Sequence, residues 1–161
     1  FSELQVAWSE RAWKRARPFV SDGLFQSQSY WMRTYAAQRL RNITENSRIL
    51  GVQMAKITSD KHYDAITVRV FATGLDYTID ERNDLVVAGS KTQERYYSEY
   101  WTLIRGASRR GAARADLACP NCGAPLEISM AGDCTHCQAK VSSGEFDWVL
   151  SRIEQDEAYV G

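Results

Sequence analysis

Ile66-Thr67-Val68-Arg69-Val70 alternates apolar and polar side chains, and alternation at every second residue gives a strand one face for a core and one for water. Two more extended runs follow it, Leu85 to Lys91 and Glu94 to Arg105. The polar stretch Asp80-Glu81-Arg82-Asn83-Asp84 separates β-rich segments. Tyr63 to Arg105 therefore reads as one long antiparallel hairpin, whose returning arm carries Tyr96, Tyr97, Tyr100 and Trp101. Upstream, Ser47 to Thr58 carries Ile49, Leu50, Val52, Met54 and Ile57 and reads as a strand, turned into the hairpin by Ser59-Asp60-Lys61-His62. His62 is expected to be a solvated turn residue. Such a sheet has one face to cover.

The residues before it supply the cover. Ser2-Glu3-Leu4-Gln5 fits a capping box, so a helix is expected from about Glu3 to Arg17. Phe1, Leu4, Trp8 and Ala12 share one face of that helix, with Val6 and Trp13 nearly opposite. Pro18 and Ser21-Asp22-Gly23 break it and start a second helix, on which Leu24, Phe25, Gln28, Trp31, Met32 and Tyr35 form a stripe that fades at Arg41-Asn42. A Trp, Met and Tyr stripe suits either a core or the wall of a ligand cavity. Asn42-Ile43-Thr44 matches a glycosylation acceptor, a pattern short enough to recur by chance.

The 161 residues allow one well-buried core and a small satellite. No run approaches the ~18 to 20 apolar residues that cross a bilayer, and no signal-peptide pattern is present. Because the chain starts at Phe1, an upstream segment is expected. Formal charge sums to zero but unevenly. Residues 1–48 hold eight Lys or Arg against four acids, whereas 117–161 hold Lys140 and Arg152 against seven acids. The first region suits an anionic surface and the last does not, so nucleic-acid binding is disfavoured.

Gly106 to Asp116 is small and basic, with Arg109, Arg110 and Arg114, and reads as a linker. Beyond it, Cys119-Pro120-Asn121-Cys122 and Cys134-Thr135-His136-Cys137 are two Cys-x-x-Cys turns eleven residues apart, and they hold all the cysteines. Each turn aims two sulfurs at one point. Four thiolates at about 2.3 Å make the closed tetrahedral shell of structural zinc, leaving no open position for substrate. A pair of disulfides is the alternative; two spaced Cys-x-x-Cys units are the usual zinc-ribbon arrangement, and because zinc needs reduced thiols the cytoplasmic side is expected. Pro120 and Gly123 suit the first turn, while Gln138 stands where glycine would ease the second. His136 is expected to point away. A last helix is expected after Ser143-Gly144, with Phe146, Val149, Leu150 and Ile153 on one face and Trp148 opposite.

Val68-Arg69-Val70, Asp76-Tyr77-Thr78-Ile79-Asp80, Val87-Ala88-Gly89-Ser90 and Glu99-Tyr100-Trp101 resemble the corresponding pieces of the Tim44-like domain family, which includes a peripheral subunit of the mitochondrial protein-import translocase. The tail from Cys119 resembles the zinc-ribbon extension of some bacterial members. The resemblance implies an α+β fold: two N-terminal helices packed on a curved antiparallel sheet, a cone related to nuclear-transport-factor-two-like and cystatin-like folds, then a four-Cys zinc ribbon and a C-terminal helix. The expected division is a cone over 1–105, a linker over 106–116, and a ribbon with its helix over 117–157. The resemblance also implies a concave apolar pocket, for which Trp31, Met32, Tyr35, Tyr100 and Trp101 are the candidate lining. In mitochondrial relatives the helix before the cone is implicated in binding cardiolipin-rich membrane; here the matching residues are Trp8, Arg11, Trp13, Lys14, Arg15 and Arg17. The import-motor role depends on a chaperone-binding region outside these residues and is not carried over.

The expected function is a non-enzymatic, membrane-peripheral scaffold that docks a membrane protein complex or membrane-bound partner, with anionic lipid as a second ligand. The expected place is the cytoplasmic side of a bacterial inner membrane, with an upstream anchor outside this chain. The alternative is a small-molecule-binding or isomerase-type enzyme using the cone cavity, with Asp76 as base and Tyr96 or Tyr100 as hydrogen-bond donor.

Overall fold

Three long strands carry the molecule: β1 (Leu40–Ser59), β2 (Tyr63–Asp80) and β3 (Leu85–Gly106). Each pairs antiparallel with the next, and the turn at 81–84 closes the hairpin where the polar residues predict it. The computed structural model describes residues 1–114 and 116–161; Ala115, within the expected linker, lies outside them. A fourth strand, β4 (Val149–Gln155), pairs antiparallel with β3 and completes the order β1-β2-β3-β4.

Among the register shifts of these ladders, two bulges lie at the same height. On β1, Glu45 faces Leu75 and Arg48 faces Thr73, so Asn46 and Ser47 oppose Gly74 alone. On β3, Ser90 faces Asp76 and Arg95 faces Gly74, so Lys91 to Glu94 bulge out opposite Leu75. Extra residues on one strand bend it and sharpen its twist, which is how a long sheet curves. Arg48 ties the two bulges together, donating to both carboxylate oxygens of Glu94 at 2.7 and 2.9 Å. Gly89, at φ +74°, passes so close to β2 that an added Cβ would lie 2.0 Å from the Asp76 carbonyl oxygen. Only glycine fits there.

The first helix is shorter than expected. Helix α1 covers Ser2–Ser9 and ends at Arg11, which adopts φ +54°. The Arg11 N–H donates to Trp8 O and the Ala12 N–H to Ala7 O, the Schellman pattern that terminates helices. The Arg11 guanidinium reaches back to the sheet, donating to Glu81 Oε1 at 2.9 Å and to Leu40 O at 2.5 Å, contacts that help offset the cost of a left-handed arginine. A short 3-10 turn, Trp13–Ala16, follows, and helix α2 runs Asp22–Ala37 with the Ser21 hydroxyl accepting from Leu24 N–H. The break swings Trp13 into the core, where it stacks on Phe25 and meets the edge of Trp8. Leu4, Val20, Leu24 and Phe25 bury with it against Val70, Trp101 and Leu150 of the sheet's inner face. Each such side chain contributes about 1.5–3 kcal/mol of transfer free energy.

The expected C-terminal helix is instead β4. Leu150 faces Leu103 and Ile153 faces Trp101, with Ser151 bulged between them. That bulge puts residues three apart on one face, the spacing of a helix. Leu150 also bridges Val20 in parallel, exchanging backbone hydrogen bonds with Phe19 and Ser21. The tail after the cysteines thus belongs to the main sheet.

Candidate functional site

Helices α1 and α2 roof only part of the inner face, and a cleft of about 460 Å³ opens beneath them. Alternation along β3 points Arg95, Tyr97, Glu99 and Trp101 into it. Asn42 and Thr44 enter from β1, Asp76 from β2, Ile153 and Gln155 from β4, and Trp8 and Trp13 from above. One polar chain crosses the cleft: Trp8 Nε1 donates to Asn42 Oδ1 at 2.8 Å, Asn42 Nδ2 to Asp76 Oδ1 at 2.9 Å, and Arg95 Nη1 to Asp76 Oδ2 at 2.9 Å. A second group surrounds Glu99, whose carboxylate accepts from Trp101 Nε1 at 3.0 Å and Gln155 Nε2 at 2.7 Å. Burial, then the charges of Glu99 and Asp76, push the Tyr97 phenol up to about 12. Tyr97 stays a neutral donor across the physiological range.

Of the five residues expected to line a pocket, the cleft contains Trp101 alone. Trp31 is 52% exposed, Met32 packs on the core, and Tyr35 meets the edge of Trp8. Tyr100 lies on the outer face, stacked on Tyr159 at 3.8 Å. The expected pairing of Asp76 with Tyr96 or Tyr100 does not form, because both tyrosines point away from the inner face and Tyr96 is 72% exposed. Tyr97 is the tyrosine on the Asp76 side. Asn42, Arg95, Tyr97, Glu99 and Gln155 were missed; the two-residue spacing Arg95-Tyr97-Glu99-Trp101 was the available signal.

The six residues expected to contact lipid do not form one cationic, apolar face. Trp13 is buried and Trp8 half-buried in the roof. Arg11 pairs with Glu81, and Arg15 with Glu3 and Glu10. Arg17 is 2% exposed: it pairs with Asp22, donates to Val20 O and lies 4.7 Å from the Phe25 ring centroid. Among the described residues, Lys14 alone of these four cations has no ion-pair partner.

Cys119, Cys122, Cys134 and Cys137 do come together, with all four sulfurs within 4.8 Å of one another. The two turns share one backbone pattern: Gly123 N–H donates to Cys119 O and Gln138 N–H to Cys134 O. Gly123 and Gln138 both take positive φ, +76° and +59°, so the second turn strains a side chain where the first has none. Burial raises the Cys119 thiol, but the N–H groups of Cys122 and Asn121 outweigh it and lower the thiol overall. The Asn121 amide holds Cys137 down at about 6. Cys122 is drawn down by the Ala124 N–H, yet burial and the neighbouring sulfurs leave it at about 11. Crowded sulfurs cannot all ionise without a cation among them, and this donor set fits a metal ion.

The module is fastened to the helices by one ionic cluster. Asp22 accepts from Arg17, from Ser142 Oγ at 2.8 Å and from Lys140 Nζ at 2.7 Å. Burial opposes ionisation, but these three donors bring Asp22 down to about 2. The basic stretch is fastened too: Arg105 lies over Trp148 at 4.6 Å, Arg109 over Phe146 at 5.2 Å, and Arg114 N–H donates to Asp147. Among the described residues, no helix is long and apolar enough to cross a membrane.

No curated protein matches the chain. Among solved structures, the intermembrane space region of chloroplast protein ARC6 is similar at 10% identity and a TM-score of 0.45, covering 94% of this chain and 83% of that one. The family pattern described as Tim44-like domain matches residues 1–113. The hairpin, its helical roof and the matched span agree, and the chain belongs to the Tim44-like domain family.

Proposed function

We propose that this chain is a non-enzymatic docking domain that receives a protein partner along β1, with zinc as the structural ion of the four-cysteine module. The carrying observation is an uncovered part of the inner face. Ile49, Val52, Met54 and Ile57 stand opposite Ala72, Val70, Val68 and Ile66, on the same side as the core, yet they are 43–66% exposed. β1 is also the sheet's edge; Ser9 and Arg11 hold its outer backbone at Thr44 and Leu40, whereas from Ile49 to Ile57, among the described residues, that edge carries no partner and can pair with an added strand. An apolar row beside an open edge fits an extended segment of a partner. Asp76 supports the non-enzymatic reading, because Arg95 and Asn42 already hold both its oxygens. Four reduced sulfurs support zinc and a cytoplasmic-side setting. Family membership supports a membrane-peripheral partner. Anionic lipid is a minor part of this reading: Lys14 supplies about 1 kcal/mol near a charged surface, short of stable attachment.

The test places a photo-crosslinking side chain at Met54 or Ile57, with Thr102 on the outer face as control, in the native membrane. One defined adduct at both inner positions, absent at Thr102 and competed by excess unlabelled chain, is expected. Equal labelling from both faces, or none from β1, would refute the docking surface.

A further inference from the structure

The cleft under α1 has no place in docking along β1, and its lining is unusual in charge. Two carboxylates, Asp76 and Glu99, face a single guanidinium, that of Arg95. Arg95 is committed to Asp76 at 2.9 Å. Glu99 has no cationic partner among the described residues; its two bonds come from the neutral indole of Trp101 and the amide of Gln155. Those donors fix the carboxylate without neutralising it. Half-buried and without a cationic partner among the described residues, the carboxylate offers a counter-charge to a cation that enters the cleft.

The walls fit such a cation. Trp8, Trp13, Tyr97 and Trp101 all contribute to the lining. Trp13 and Trp101, 6% and 8% exposed, lie against Phe25 and Phe1 and back the wall, while half-buried Trp8 and Tyr97 offer most of the aromatic surface. Electron-rich Trp and Tyr rings attract ammonium groups. Arg95 already shows the preference, with its guanidinium carbon 5.7 Å from the Tyr97 ring centroid. Water-shedding aromatic walls favour a weakly hydrated, alkylated head over a compact metal ion. At about 460 Å³ the space falls within the range that small organic ligands occupy. We propose that this cleft is a binding site for an organic ammonium, its methylated head against Trp8 and Tyr97 and its charge against Glu99. The head belongs either to a free small molecule or to a side chain carried by a peptide; the recognition chemistry is the same.

The experiment titrates the full chain with choline, with an acetylated tripeptide containing trimethyllysine, and with 3,3-dimethylbutan-1-ol, the uncharged isostere of choline, following tryptophan fluorescence and calorimetry. Saturable binding of a cation, at least tenfold tighter than the isostere, is expected. Choline the tighter ligand assigns a small molecule, and the tripeptide the tighter assigns a chain-borne group. Glu99→Gln should weaken binding by on the order of tenfold, and Arg95→Gln, which frees Asp76, should tighten it severalfold. Equal affinity for the isostere overturns the proposal, as does no saturation by about 10 mM or a folded Glu99→Gln protein that binds unchanged. If Glu99→Gln fails to fold, the direction of the Arg95→Gln change decides. The crosslinking along β1 reads a different surface, so either result stands without the other.

Discussion

The sheet body and the four-cysteine module solve the same problem with different materials. The body buries Leu4, Trp13, Val20, Phe25, Val70, Trp101 and Leu150 in one continuous core. The module's buried cluster is Cys119, Cys134 and Val141, with only partly buried neighbours around them. Apolar area scales with the residues committed to it, and a segment this short cannot commit enough. The comparison teaches that the body owes its shape to solvent exclusion, whereas the module's order rests on four clustered sulfurs and on the Asp22 cluster that joins it to α2.

The strongest way to break the comparison is to withhold the proposed zinc. Chelation, or Cys134→Ser, should abolish the module's order, since a structural zinc contributes on the order of 10 kcal/mol to the fold that holds it. Amide resonances of 118–141 should collapse while those of β1 to β3 persist, and elemental analysis of the untreated chain should give one zinc. Next comes Trp101→Ala, which hollows the body's core and should cost about 3–5 kcal/mol in urea unfolding. Metal content should not change.

Two weaker perturbations sharpen the boundary between the regions. Arg17→Met removes a buried guanidinium and leaves Asp22 with Lys140 and Ser142. Because the Asp22 side chain is 41% exposed, solvent screens the loss, and about 1–2 kcal/mol is expected. The readout is a single thermal transition splitting into two. The smallest effect is acid sensitivity. Asp22 titrates near 2 in the folded chain, below its ordinary value of 3.8, so its contribution is complete above about pH 4 and lost as pH falls towards 2. Asp22→Asn should flatten stability across that window in acid titrations, and an unchanged slope would remove Asp22 from the joint.

The hairpin and the cysteine turns were legible in sequence because their signals are local. Alternation at Ile66 to Val70 coincides with turn residues at 80–84, and each Cys-x-x-Cys turn sets its own geometry. The misses share a different cause. The end of α1 depends on Arg11 reaching Glu81, seventy positions away. β4 was hidden by the bulge at Ser151, which gives a strand the spacing of a helix. The cleft joins Asn42, Asp76, Glu99 and Gln155 from four strands, so no window of sequence contains it. Asn42, read as a chance glycosylation match, is its central hydrogen-bonding residue.

The position of β4 has a consequence for chain order. The sheet's last strand arrives only after the cysteine turns are complete, so the four-cysteine module interrupts the sheet's chain order and does not simply follow it. A fragment cut at 113 would retain the whole span that carries the family resemblance, yet it would lack Leu150 and Ile153 over Trp101. It would also bare the flank of β3, inviting a foreign strand to take the missing place.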